Sequence, residues 1–118
     1  MESQVKKGKI WGTTELLFCN KNVAVHILDI KKDGYCSKHL HHCKSNIFYI
    51  ISGNLKLSAW TAEGIRDDTV LWQGEQTEIK PGIYHQFKAL TQVVCLEIYE
   101  IKFRGEDIER ETVGGIEK

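Results

Sequence analysis

Three histidines in two separate segments have the spacing of a metal site. His39 and His41 are two residues apart, and side chains at i and i+2 of a strand project from the same face. His85 lies far downstream, just after Pro81-Gly82, a tight turn that can bring a third imidazole to the same point. Neutral imidazoles suit first-row transition metals, so these residues predict a divalent metal site.

The ordinary alternative is that these histidines are hydrogen-bonded strand residues without a shared ligand. Agreement of the spacing across two segments favours the shared site. His42 alternates to the opposite face of the strand, which predicts a surface or interface position. His26 occupies an apolar strand and is expected to be a hydrogen-bonded core histidine.

Several further side chains are candidates to line the cavity around these imidazoles. Cys43 shares the parity of His39 and His41, so its thiol can face the cavity as a soft ligand or simply fill apolar space. No second acid or base stands out, so no catalytic residue is identified. The other candidates are Asn46, Phe48, Tyr35, Tyr84, Gln86 and Glu97.

The elements that must position these residues are short strands separated by turn residues. Asp33-Gly34 is a strong turn signal before the histidine segment, and Gly53 ends a run typical of a compact hairpin. Residues 61–68 are expected to be a polar loop, and no helical period occurs before residue 104. An all-β barrel or sandwich follows. Strands are predicted over residues 10–18, 23–30, 47–51, 55–60, 69–73, 76–79, 86–90 and 93–103.

Length and composition narrow the functional classes. The 118 residues predict one domain, 1–118, with a polar N-terminal arm at 1–9 and a C-terminal tail at 104–118. Lys plus Arg equals Asp plus Glu at 16 each, which favours neither nucleic acid nor an anionic membrane as partner. Apolar runs are too short for a membrane span, and no secretory signal is present, so a cytoplasmic protein is expected. The four cysteines form no C-x-x-C pair, which indicates reduced thiols.

The histidine segments resemble the two motifs of the cupin family. The first motif runs Gly, spacer, His-x-His, four residues, Glu, six residues, Gly, and Gly34, His39, His41, Asn46 and Gly53 match it. The spacer after Gly34 is one residue short, and Asn46 stands where the family has its metal-binding glutamate.

The second motif is matched by Gly74, Pro81, Gly82 and His85. The resemblance implies a cupin double-stranded β-helix, or jelly-roll, barrel. It also implies a metal held by His39, His41 and His85, with Asn46 a weak ligand or replaced by water. Zn, Mn, Ni and Fe all remain open as the metal.

A narrower resemblance is to the cupin domain that closes type II mannose-6-phosphate isomerase/GDP-mannose pyrophosphorylase proteins. Trp11-Gly12, Ser52-Gly53 and residues 96–101 and 105–108 carry it. It implies a metal-dependent isomerase or epimerase for a small-molecule substrate such as a sugar or sugar phosphate. Cupins of this size imply a homodimer formed by sheet extension, with the arm crossing to the partner. A three-histidine Fe(II) dioxygenase and a non-catalytic ligand-binding or regulatory cupin are the alternatives.

Overall fold

The described residues of the computed structural model, 6–102 and 108–118, form β-strands and no helix. None of these residues lies in a helix that could cross a membrane. In chain order the strands are β1 (Lys6–Lys9), β2 (Gly12–Cys19), β3 (Val23–Ile30), β4 (Gly34–Tyr35), β5 (His39–His41), β6 (Lys44–Ser52), β7 (Leu55–Trp60), β8 (Arg66–Leu71), β9 (Gln76–Ile79), β10 (Tyr84–Ala89), β11 (Val93–Ile101), β12 (Ile108–Arg110) and β13 (Gly115–Ile116).

The strands form two antiparallel sheets that pack face to face as a jelly-roll barrel, so the all-β prediction is confirmed. One sheet has six strands in the order β1-β2-β3-β11-β6-β9. The other is centred on β10, which pairs with β7 on one side and with the two short strands β4 and β5 on the other. β8 extends this second sheet beyond β7.

The core lies between the two sheets and is built from alternating inward side chains. On β6 the inward residues Phe48 and Ile50 are buried, and on β10 Phe87 and Ala89 are buried. The period of two is what a sheet requires when one of its faces packs on a core. Cys36, Cys43 and Cys95 are buried and none of the cysteines is in a disulfide.

Most strands agree with the sequence prediction, and the differences have local causes. Residues 23–30, 55–60 and 76–79 are strands with the predicted bounds. β8 begins at Arg66, inside the expected polar loop, because residues 66–68 pair with the second half of β7. A polar strand at the edge of a sheet lacks the apolar alternation that marks a strand in the sequence.

The two ends of the chain are paired to the barrel where the structure describes them. Lys6–Lys9, within the predicted arm, form β1 and pair with β2, whereas residues 1–5 lie outside the described residues. In the predicted tail, β12 pairs with β5 and β13 pairs with β4. Residues 103–107 lie outside the described residues. The C-terminal segment therefore extends the sheet that carries the histidines.

Candidate metal centre

Neighbouring strands bring the three histidines together. His39 and His41 lie on β5, and His85 lies on β10 directly opposite His39 in the antiparallel register. The Pro81-Gly82 turn is tied to the histidine strand, because the Gly82 N–H donates to the His41 carbonyl at 2.8 Å. One ring nitrogen from each imidazole lies within 4.8 Å of the others. All three histidines are buried, with 8%, 4% and 1% of their surface exposed.

Backbone carbonyls fix the orientation of two of the rings. His39 Nδ1 donates to the Ser37 carbonyl at 2.7 Å, and His85 Nδ1 donates to the Ile83 carbonyl at 2.9 Å. A carbonyl oxygen only accepts, so each Nδ1 carries the hydrogen and each Nε2 keeps its lone pair. Outer hydrogen bonds of this kind orient the histidine ligands of metal sites.

Burial keeps these imidazoles neutral. Desolvation, followed by the neighbouring His85, lowers the pKa of His39 from 6.5 to about 3. Desolvation also lowers the pKa of His85 to about 4 against the effect of its hydrogen bond to Ile83. Both rings are thus unprotonated at neutral pH, which is the form that binds a metal.

Asn46 adjoins the histidines and links them to a buried carboxyl group. Its Nδ2 lies 3.4 Å from His85 Nε2 and donates to Glu97 Oε2 at 3.0 Å. The Asn46 Oδ1 atom is buried and has no hydrogen-bond partner within residues 6–102 and 108–118. A buried amide oxygen without a partner, on the residue that adjoins His85, fits a nearby divalent cation, because a metal would supply the missing partner.

A cavity of about 620 Å³ opens beside His39 and is large enough for a small organic molecule. Glu97 lies in its wall, and burial raises the pKa of that carboxyl, against the lowering effect of hydrogen bonds from Asn46 and Tyr99. Arg110 of β12 lines the same cavity and donates to the Ser37 hydroxyl. The cavity therefore combines imidazole, carboxyl and guanidinium groups.

Solved structures share this architecture. Oxalate decarboxylase from Bacillus subtilis at pH 4.6 matches with a TM-score of 0.80 and 15% identity, covering 92% of this chain and 30% of that chain. The formate complex of oxalate decarboxylase from Lactobacillus farciminis matches with a TM-score of 0.75 and 20% identity, covering 86% of this chain and 32% of that chain. This chain has the cupin fold. No protein-family model and no curated protein matches the sequence.

The fold agrees with the broader resemblance drawn from the two cupin motifs. This chain spans about a third of the length of the oxalate decarboxylases, and at these identities the likeness concerns the fold. The narrower resemblance to mannose-6-phosphate isomerase-type cupins rests only on the short sequence segments given above. Asn46 lies next to His85, so a neutral amide stands at the position that the motif assigns to glutamate.

The other predicted cavity residues have different surroundings. Cys43 is buried, and the group of possible metal ligands found among the described residues comprises the histidines without it. Phe48 packs in the core, with its ring centroid 6.5 Å from that of His85. Tyr84 donates to Glu109, and Gln86 donates to the Cys36 carbonyl at 2.9 Å.

Three further placements complete this set of predicted residues. Tyr35 lies on β4 between β10 and β13. His42 is exposed and its Nε2 lies 3.1 Å from Glu109 Oε1. His26 is half-buried and lines the cavity, where its ring packs edge-on against Tyr99 at 5.5 Å between centroids.

Ser37 and Arg110 are among the cavity residues that the sequence analysis did not identify. Ser37 precedes the histidine pair and holds His39 through its carbonyl and its hydroxyl. Arg110 reaches the cavity only because β12 pairs with β5, where it lies opposite His39. No local sequence pattern predicts a pairing between segments so far apart in the chain. The one available signal was that Arg110 stands between two glutamates, Glu109 and Glu111.

Proposed function

We propose that this cupin binds one divalent transition metal at His39, His41 and His85 and acts on a small oxygen-rich substrate in the adjoining cavity. The observation that carries the proposal is the convergence of three buried imidazoles next to Asn46, whose buried Oδ1 has no hydrogen-bond partner among the described residues. A bound metal would polarise carbonyl and hydroxyl oxygens of the substrate.

Isomerisation or epimerisation of a sugar or sugar phosphate is the chemistry that we put first. Such reactions move a proton at a carbon next to a carbonyl group, and the Glu97 carboxyl in the cavity wall can hold that proton. The Arg110 guanidinium offers a cationic partner for a phosphate or carboxylate group. Trp11, Leu16 and Phe87 contribute apolar walls to this cavity.

A three-histidine Fe(II) dioxygenase is the second candidate. It is favoured by the neutral ligand set, since Asn46 contributes no negative charge at the position next to His85. The named activity of the structural neighbours is a reason to include oxalate and other small carboxylates among the substrates tested. The third candidate is a cupin that binds a ligand without catalysing a reaction.

Metal analysis of protein purified without a histidine tag tests the proposal first. One equivalent of zinc or manganese is expected, and substrate panels in D₂O, followed by NMR, should then show deuterium next to a carbonyl carbon. Glu97→Gln should abolish this exchange and keep the metal. Stoichiometric iron with oxygen uptake would instead favour the dioxygenase, and metal without turnover would favour the binding protein. Failure to take up any of Zn, Mn, Ni or Fe(II) would refute the site.

A further inference from the structure

Three exposed apolar side chains lie at the opening of the cavity beside His39. Ile10 belongs to the turn between β1 and β2, Ile108 belongs to β12, and Val113 lies between β12 and β13. All three line the cavity, yet they remain 66%, 45% and 79% exposed. A side chain that both lines a cavity and meets solvent lies at its mouth, so we call Ile10, Ile108 and Val113 the apolar rim.

Strand β12 places one rim residue beside a cation. Ile108 and Arg110 line the cavity, whereas Glu109 between them lies beside His42 and Tyr84, outside the cavity. Successive side chains of a strand project to opposite faces, which accounts for this alternation. Although all three residues of β12 are exposed, the strand therefore has a distinct cavity face that carries an apolar side chain and a guanidinium group.

The Arg110 guanidinium is available to an anion from outside the chain. It donates to the Ser37 hydroxyl, and no carboxylate among residues 6–102 and 108–118 forms an ion pair with it. A guanidinium group has several N–H donors in a planar fork that matches a carboxylate. Among the lysine, arginine and acidic residues that line the cavity, Lys9 and Arg110 outnumber Glu97, so the lining favours an anion.

We propose that the substrate of this cavity is an amphipathic acid, whose anionic group pairs with Arg110 and whose alkyl or aryl substituent packs on the apolar rim. The inference rests on the proposed function for the assignment of this cavity as the substrate site, and it adds the part of the substrate that lies away from the metal. A cavity of about 620 Å³ has room for both parts, because pockets of roughly 300–1,000 Å³ hold drug-sized molecules.

The register of β12 against β5 sets the orientation of such a substrate. Arg110 lies opposite His39, so an acid group on the guanidinium adjoins the candidate metal centre. The rim lies at the mouth, so the substituent points outward, where Trp11 and Leu16 also contribute to the apolar wall. Removal of this apolar surface from water favours binding. A ligand without an apolar part would leave the rim in water.

Isothermal titration calorimetry with straight-chain carboxylates tests this proposal. The probes are butyrate, hexanoate and octanoate, with the alcohols of equal length as uncharged controls. The affinity of the metal-loaded wild type for the acids should rise about threefold for each added CH₂, because each methylene buries further apolar surface. Each alcohol should bind at least about tenfold more weakly than its acid, since the guanidinium group pairs with the carboxylate.

Two variants separate the contributions of the rim and the cation. In Ile108→Ser/Val113→Ser the gain in affinity from butyrate to octanoate should fall at least about fivefold, whereas butyrate affinity should stay within about twofold. Arg110→Gln should weaken every acid about tenfold and keep the dependence on chain length, because glutamine is neutral and can still donate to Ser37. Val70→Ser is the matched control, since Val70 is exposed on β8, outside the cavity lining, and this variant should bind like the wild type.

Several results would overturn the proposal. They are failure of the wild type to bind any of the acids at millimolar concentration, equal affinity for all chain lengths, and unchanged affinity for the acids in Arg110→Gln. An unchanged dependence on chain length in Ile108→Ser/Val113→Ser, with a wild-type circular dichroism spectrum, would do the same. If the double variant does not fold, Val113→Ser alone provides this test at the most exposed position of the rim.

The same titrations are repeated after chelator treatment, and the metal content of every sample is measured. The dependence on chain length should persist without metal, because neither the rim nor Arg110 belongs to the histidine cluster. Absence of metal uptake therefore refutes the proposed function alone. Loss of the chain-length dependence in metal-loaded protein refutes this inference alone.

Discussion

The two ends of the barrel interior differ along the same strands. On β10, β6, β11 and β3 the inward residue near the cavity is polar, and the next two inward residues are apolar. The four series are His85-Phe87-Ala89, Asn46-Phe48-Ile50, Glu97-Cys95-Val93 and His26-Leu28-Ile30. The barrel interior thus has a polar end, which carries the histidines, and a closed apolar end.

This difference between the two ends explains how the barrel can hold buried polar groups. At the closed end, Ile30, Ile50, Val93 and Cys95 are 0% exposed, and their burial supplies the hydrophobic stabilisation. At the cavity end, burial of His85 and Asn46 removes polar atoms from water and is unfavourable unless partners are present. We infer that stability is concentrated at the first end and ligand binding at the second.

The largest effect on stability is expected from a substitution in the packed core at the apolar end of the barrel. Ile50→Ala deletes a fully buried side chain and should lower the free energy of unfolding by about 2–5 kcal/mol, because it leaves a cavity in a packed core. Metal affinity of the folded protein should change little. Chemical denaturation and a chelator competition titration measure the two quantities. A large loss of affinity in folded Ile50→Ala would contradict the division between the ends.

The second largest effect is expected from substitutions of the histidines at the polar end. His85→Ala should weaken metal binding more than about 100-fold, since loss of a mere hydrogen-bond partner of a ligand already costs about 10–100-fold. His39→Ala should do the same, and the double variant should lose little more, because ligands of one ion are not additive. His42→Ala is the control, since that imidazole is exposed and lies beside Glu109. A full metal-induced rise in melting temperature in His85→Ala would refute the shared site.

The sequence alone predicted those features of the fold and the site that depend on the alternation of side chains along a strand and on local turns. His39, His41 and His85 could be grouped because strand parity and a Pro-Gly turn are local features with long-range consequences. The inward series on β6 and β3 follow from the same parity. The resemblance to the two cupin motifs added the prediction that the segment of His39 and His41 meets the segment of His85.

The other features of the site depend on how particular strands pair, and the sequence gives little indication of that pairing. Glu97 has inward parity, but its hydrogen bond to Asn46 requires the particular offset that sets Tyr99 opposite Asn46. Arg110 belongs to a three-residue strand whose side chains are all exposed, so no burial pattern marks it. Such short strands are specified by the partner strand and not by their own composition.

The pH dependence of the free energy of unfolding gives a further test of the difference between the two ends of the barrel. The folded state keeps His39 and His85 neutral, with pKa values of about 3 and about 4, whereas the unfolded chain binds protons near 6.5. The unfolded state therefore binds more protons as pH falls from 6.5 toward 4, and the free energy of unfolding of the metal-free protein should fall over that window. Glu97 acts in the opposite direction because its pKa is raised.

Denaturation of chelator-treated protein from pH 7.5 to pH 4 measures this dependence. The double variant His39→Gln/His85→Gln should show a clearly shallower fall, since it lacks both depressed pKa values. An Ile50→Val variant at the apolar end should be less stable at every pH and keep the wild-type slope. Equal slopes in the wild type and the double histidine variant would show that other groups control the acid response.

The smallest expected effect concerns Asn46. Asn46→Glu restores an anionic group beside His85 and should tighten metal binding roughly tenfold, or about 1.4 kcal/mol. It also removes the donor to Glu97 and sets two carboxyl groups together, which disfavours ionisation of both in the metal-free protein.

Asn46→Glu/Glu97→Gln resolves that conflict. The amide at residue 97 can donate to the new carboxylate, and the number of carboxyl groups stays constant. The double variant should then bind metal more tightly than either single variant in a chelator competition titration. If folded Asn46→Glu/Glu97→Gln binds metal no better than the wild type, the side chain at residue 46 does not face the metal, and the orphaned Oδ1 needs another explanation.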